Sequence, residues 1–116
     1  MAAAYCPRPA DIVWLTLDPQ AGHERAGHRP AVVLSPERYN RKVGLALFCP
    51  ITTRSKGYPF EVAIPAGLEV SGVVLSDQVK SLDWKARNAR FACRLPLNAF
   101  QEVMAKVGTL METTTD

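Results

Sequence analysis

The first apolar run lies at residues 11–17, DIVWLTL, where β-branched and aromatic side chains dominate and a strand is predicted. Residues 18–30, DPQAGHERAGHRP, carry two glycines and two prolines and no apolar period, so they are read as a loop. Loops of that length inside a small domain are generally functional or mobile. Apolar character returns in AVVL at 31–34 as a continuous strand. Ser35-Pro36-Glu37 then supplies an N-cap and a proline at the first helical position, with one or two helical turns to Asn40.

Residues 43–49, VGLALFC, predict a second buried strand that Pro50 halts and that Ile51 to Thr53 can extend. RSKGYP at 54–59 is a turn carrying two cations. FEVAI at 60–64 alternates, with Glu61 facing outward, and Pro65-Ala66-Gly67 ends it. A strand is expected over 73–79, VVLSDQV, although Ser76, Asp77 and Gln78 interrupt its apolar pattern. In the last strand, 90–95, Phe91 and Cys93 alternate against Arg90, Ala92 and Arg94.

The period then changes. Leu97, Phe100, Val103, Met104, Val107, Leu110 and Met111 fall on one face of an amphipathic helix, with Gln101, Glu102 and Lys106 outside it. Five to seven short strands followed by one helix predict a mainly β fold, a small curled sheet closed as a barrel. At 116 residues the chain makes one domain, 1–116, since a single core rarely divides below about 150 residues. The apolar runs are too short for a membrane-spanning helix, and MAAAYCPRP has no basic start and apolar stretch of a secretory signal. A soluble, cytoplasmic protein is expected.

Charge and cysteine usage sharpen this only a little. Fourteen Lys and Arg against eleven Asp and Glu give +3, weak ground on its own for a polyanionic partner. The distribution says more. Residues 19–60 hold seven basic and two acidic side chains, and residues 80–94 hold five basic against Asp83, whereas the chain from Leu95 onward is net acidic. Two readings stay open: solvated basic faces, or a groove for a phosphodiester backbone. Three cysteines, Cys6, Cys49 and Cys93, match no zinc spacing and no disulfide framework, so a reducing compartment is expected, with Cys49 and Cys93 as small buried apolar residues.

Among polar residues the segment His23, Glu24, Arg25, His28, Arg29 stands out. It reads as a solvated loop, as a metal site short of ligands, or as an acid–base site flanking a phosphodiester. Cleaving RNA without a metal needs a base for the ribose 2′-hydroxyl, a proton for the departing 5′-oxygen, and fixed cations for the phosphorane charge. Glu24 suits the first need and Arg29 the third, since a guanidinium donates two hydrogen bonds to phosphate. Thr52 and Thr53 either cap the chain turn after Pro50 or donate to a phosphate. Asp77 is either bonded to loop amides or part of a base-reading surface. Tyr58, Phe60 and Trp84 lie near cations, as stacking platforms do, or belong to the core.

GHRPAVVLSP (27–36), CPITT (49–53), SKGYPFEV (55–62) and LSDQVKSLDW (75–84) together resemble the MazF/PemK toxins of bacterial type II toxin–antitoxin pairs. The resemblance runs from about Tyr5 to Leu110 and is strongest to the chromosomal MazF branch. DIVWL after Pro9 fits as well, although the usual Gly before that Asp is here Ala10.

The resemblance implies an SH3-like barrel that pairs as a homodimer and cuts single-stranded RNA at short sequences, with no metal or other cofactor. The products would carry a 2′,3′-cyclic phosphate and a 5′-hydroxyl. It also implies a MazE-like antitoxin whose acidic, disordered tail occupies the substrate groove. Carried over by position, Glu24, Arg29 and Thr52 are the expected catalytic residues, and Lys56 and Tyr58 lie in the motif that borders the RNA groove. His28, Thr53, Asp77 and Lys80 are expected as further RNA contacts. In the PemK-type branch an Arg-x-Asp pair is implicated; here Asp77 fills the Asp position but Leu75 stands in place of the Arg, which favours Glu24 with Arg29. Two alternatives share the fold: a CcdB-type gyrase poison, disfavoured because the tail METTTD lacks a tryptophan, and an inactive RNA-binding relative.

Overall fold

The computed structural model describes residues 4–16 and 28–113. Strand β1 (Asp11–Thr16) runs antiparallel to β2 (His28–Val33), in register from Ile12 opposite Val32 to Thr16 opposite His28. His28, Arg29 and Pro30 are therefore strand, not the end of a loop. Pairing with Thr16, Leu15 and Trp14 overrides their poor strand composition. Helix α1 (Glu37–Val43) begins after Pro36 with no side-chain cap and closes at Gly44, whose φ of 84° is left-handed. Ser35, expected as the cap, instead donates to Asn40 Oδ1 at 2.5 Å and accepts the Leu47 N–H at 2.9 Å.

Strand β3 (Leu45–Thr52) is the hub. β2 covers one edge, with Ala31 opposite Pro50 and Val33 opposite Phe48. The other edge carries β5 (Val73–Leu75) beside Ile51 and Thr52, and β6 (Lys80–Asp83) beside Leu45 to Phe48. Of the strand expected at 73–79 only Val73–Leu75 forms; the chain then turns, with the Leu75 carbonyl accepting the Gln78 N–H at 3.1 Å, and β6 follows as a strand that the sequence pattern did not predict. The short β4 (Glu61–Ala63) pairs with β5, and β7 (Arg90–Arg94) pairs with β1. The path β4-β5-β3-β2-β1-β7 leaves its two end strands apart, so among the described residues the antiparallel sheet is open where a closed barrel was expected.

Both faces of the central strands are covered, which explains their continuous apolar runs. Ile12, Val32, Cys49 and Ile51 lie in a core that includes Ala99, Val103 and Val107 of α2 (Leu97–Thr109). Val13, Leu15, Ala31, Val33, Ala46 and Phe48 face the opposite way, onto Cys6 and Trp84. Trp84 is core, with its indole N–H donating to the Asn40 carbonyl at 3.0 Å, so it is no stacking platform. Burial pushes the Cys49 thiol up to about 12, with the Asp77 charge adding to the effect. Cys6 is buried too, whereas Cys93 is only half-buried.

Two alternations fail for local reasons. A bulge between Ile12 and Val13 sets Ile12 opposite Cys93 but Val13 opposite Phe91, skipping Ala92. Phe91 is consequently exposed, its ring 6.2 Å from that of Tyr5, while Ala92 and Cys93 both pack against the core that holds Ile12 and Val32. On α2 the buried stripe is Ala99, Val103 and Val107, spaced i, i+4, i+8, with Phe100 beside it. Leu97 and Met104, expected on the core face, are exposed because the buried stripe is narrow, and Leu110 and Met111 are exposed beyond the helix end at Thr109.

Candidate nucleic-acid interface

Two clefts adjoin at the end of β3, and Thr52 and Arg54 line both. The larger, about 540 Å³, has Trp14, Ile51 and Val70 as apolar lining, with Arg29, Thr53, Glu69 and Ser71 as its polar groups. The smaller, about 250 Å³, is bordered by Lys56, Tyr58, Glu61, Leu75 and Gln78. Local sequence dictates this layout. Pro30 on β2 sets Arg29 opposite Leu15, one residue along from Trp14. β3 ends at Thr52, whose hydroxyl oxygen accepts the Arg54 N–H at 3.1 Å and turns the chain outward. Gly72 lies against Thr52 with φ of 123°, and a Cβ there would collide with the Thr52 carbonyl oxygen. Only glycine lets the backbone leading into β5 approach this closely.

The polar groups suit an extended anion. Arg29 and Arg54 present guanidinium groups at one cleft, and Lys56 adds a cation at the other. Tyr58 is exposed beside it and offers a ring face for a base. Each cleft also holds a carboxylate, Glu69 in the larger and Glu61 in the smaller, and Glu61 is tied to its own chain. Its oxygens accept the Lys56 N–H at 2.9 Å, the Ser55 hydroxyl at 2.8 Å and the Gly57 N–H at 3.2 Å. Those bonds, the Lys56 N–H foremost, hold its carboxyl below the usual carboxylate range. It does not simply face outward as its alternation implied.

The profile of the family described as "PemK-like, MazF-like toxin of type II toxin-antitoxin system" matches residues 8–111. The chain belongs to the MazF/PemK toxin family. It is 49% identical over 111 residues to "Endoribonuclease toxin MazF" of Escherichia coli strain K12, covering 96% of this chain and 99% of that relative. To "Endoribonuclease PemK" of Escherichia coli it is 35% identical, covering 85% and 78%. Crystal structures from Deinococcus radiodurans superpose well. MazF (Form-I) gives a TM-score of 0.84 at 52% identity over 93% of this chain and 98% of that one. MazE-MazF (Form-II) gives 0.85 at 45% identity over 96% and 100%.

Within this MazF/PemK chain the structure brings together Arg29, Thr52 and Thr53 at one cleft, and Thr52, Lys56 and Tyr58 at the other. It does not bring in every expected residue. Lys80 lines a separate small cavity with Leu15, Phe48 and Leu82. His28 is exposed beside Arg29, and Asp77 is exposed on the turn beside Gln78; neither lines a cleft. Glu24 lies outside the described residues. Arg54, Gln78, Trp14 and Glu69 line the clefts and were missed as site residues. Arg54 and Gln78 had a signal, since they directly follow the expected residues Thr53 and Asp77 in polar runs. Trp14 and Glu69 had none, because their place depends on β1 and the 65–72 segment meeting in space. Leu75, the departure from the PemK pattern, lines the smaller cleft as an apolar wall.

Proposed function

We propose that this chain is a metal-independent, sequence-specific endoribonuclease toxin that cuts single-stranded RNA, arrests translation and growth, and is neutralised by a cognate antitoxin. The observation that carries the reading is the pair of clefts meeting at Thr52, one holding Arg29 and the other Lys56 and Tyr58. A scissile phosphate at Thr52 would have guanidinium groups on one side and a cation with an aromatic ring on the other. Such an arrangement grips one linkage and the nucleotide next to it.

In this reading the ribose 2′-oxygen attacks phosphorus, the P–O5′ bond breaks, and the 5′-oxygen leaves with a proton drawn from solvent. The ends are a 2′,3′-cyclic phosphate and a 5′-hydroxyl. Glu24, five residues before Arg29 in the chain, is assigned the 2′-hydroxyl proton. Arg29, with Arg54 beside it, stabilises the phosphorane charge. The Thr52 hydroxyl, whose oxygen already accepts the Arg54 N–H, keeps its own hydrogen for a phosphate oxygen. Thr53 adds a second hydroxyl to the larger cleft. His28 and Asp77 sit one residue from cleft residues and are read as outer RNA contacts; Lys80 contributes long-range attraction for phosphate.

We assign as partners a MazE-like antitoxin with an acidic tail, for which the cationic clefts are complementary, and a second copy of the chain. The exposed apolar side chains Leu97, Met104, Leu110 and Met111 support self-association. No helix among the described residues is long and apolar enough to cross a membrane. A cytoplasmic site of action follows from the RNA substrate, and the curled sheet is read as SH3-like. Glu24→Ala tests the assignment of the base: cleavage of RNA is lost while the thermal midpoint stays unchanged. Undiminished cleavage by that variant would remove Glu24 from the mechanism.

A further inference from the structure

Residues 54–59 carry both side chains, Lys56 and Tyr58, that the smaller cleft owes to this segment besides Arg54. A turn of that composition, with Ser55 and Gly57 exposed, has no apolar anchor of its own. Its conformation is held from outside, at two points. On the amide side, Gly57 at φ 78° turns its N–H and that of Lys56 toward one spot, the concave arrangement of successive amides that binds anions. The occupant is the Glu61 carboxylate, with the Ser55 hydroxyl as third donor. On the carbonyl side, Lys106 of α2 donates to the Pro59 carbonyl at 2.5 Å and to that of Glu61 at 3.2 Å. The Glu61 N–H closes the turn on the Tyr58 carbonyl at 3.1 Å.

With both oxygens engaged by donors of its own chain, Glu61 is poorly suited to take a proton from RNA. We propose that Glu61 is a positioning residue, which together with Lys106 presets the 54–59 segment so that Lys56 and Tyr58 stand at the smaller cleft before RNA arrives. This rests on the reading that the clefts take RNA, and it deepens that reading by separating two jobs. The larger cleft, with Arg29, acts on the scissile linkage. The clamped segment binds the neighbouring nucleotide, and loosening it weakens binding without slowing the chemical step.

The decisive variants are Glu61→Gln and Lys106→Met. In Glu61→Gln the side-chain amide group faces the Lys56 N–H, donor against donor, so at least one clamp bond is lost. In hydrogen exchange the Lys56 and Gly57 amides should exchange about ten-fold faster than in the parent, with amides of β1 to β3 unchanged. In steady-state cleavage of an RNA oligonucleotide, KM should rise on the order of ten-fold in each variant while kcat stays within about two-fold. A purely structural role would instead speed exchange throughout the sheet and lower the thermal midpoint. Unchanged exchange at Lys56 and Gly57, or a fall in kcat with KM unchanged, would overturn the proposal. If the parent protein cuts no RNA, the functional reading fails, whereas the exchange measurement still decides whether Glu61 holds the segment.

Discussion

The Thr52 hydroxyl oxygen accepts the backbone N–H of Arg54 at 3.1 Å, and these two residues are shared by both clefts. The bond holds the Thr52 hydroxyl oxygen in place, leaves its hydrogen free to be donated, and sets a guanidinium-bearing residue two positions further on. Thr52→Val keeps the β-branched shape at the strand end and removes the donor. One hydrogen bond to a charged group is worth about 1.5–3 kcal/mol, so kcat should fall on the order of ten- to a hundred-fold. Thr52→Ser should keep most of the activity. Equal activity in the Val and Ser variants would show that the hydroxyl takes no part.

Arg29 sits on β2 opposite Leu15, exposed and clear of both cores, so replacing it costs little stability. Arg29→Ala should raise the cleavage barrier by about 2–4 kcal/mol, the loss seen when one preorganised charge stabiliser is removed. Arg29→Lys should recover only part of it, because an ammonium cannot reproduce the two-pronged contact to phosphate. Kinetics of the two variants with one RNA oligonucleotide check this; a Lys variant equal to the parent would reduce Arg29 to a simple positive charge.

Ala10 has φ of 76°, in the left-handed region that a Cβ disfavours. It is held there by its N–H donating to the Val33 carbonyl at 2.9 Å and its carbonyl accepting the Leu95 N–H at 2.8 Å. The neighbouring Asp11 reinforces the bend, since its buried carboxylate accepts from the Tyr5 hydroxyl, the Arg8 N–H and Arg94. Ala10→Gly should therefore stabilise the fold by about 1 kcal/mol, the strain relieved less the entropy glycine adds to the unfolded chain. Urea unfolding measures it, and a lower midpoint for the glycine variant would mean that the strain is absent.

Much of this architecture was legible in the sequence, and its failures have physical causes. The strands around Val13, Val32 and Phe48 are continuous apolar runs because both sheet faces are covered, a pattern that survives any uncertainty about partners. The helix at 97–109 was visible from its period, but period counts apolar residues and says nothing of how wide a surface receives them. Hence Met104 is outside and Ala99 inside. Phe91 was misplaced by a bulge, and the break between Leu75 and Lys80 was hidden because Val79 resumes the apolar pattern. Arg29, Thr52, Lys56 and Tyr58, expected from motif resemblance, line the two clefts. Glu61 looked like an outward surface carboxylate, since nothing in FEVAI shows that the preceding turn folds its amides onto it.

In the proposed reaction the RNA supplies its own nucleophile at a linkage held by Arg29 and Thr52, with no divalent ion taking part. The most direct measurement incubates a long mixed-sequence RNA with the protein in excess EDTA, maps the cut positions and identifies the chemistry of both ends. A matched oligonucleotide carries a single 2′-deoxy sugar at the mapped site. Cutting should be undiminished, every cut should leave a 2′,3′-cyclic phosphate and a 5′-hydroxyl, and the 2′-deoxy oligonucleotide should stay intact. Cleavage abolished by EDTA, ends bearing a 5′-phosphate, or cutting at the 2′-deoxy position would contradict the proposed reaction.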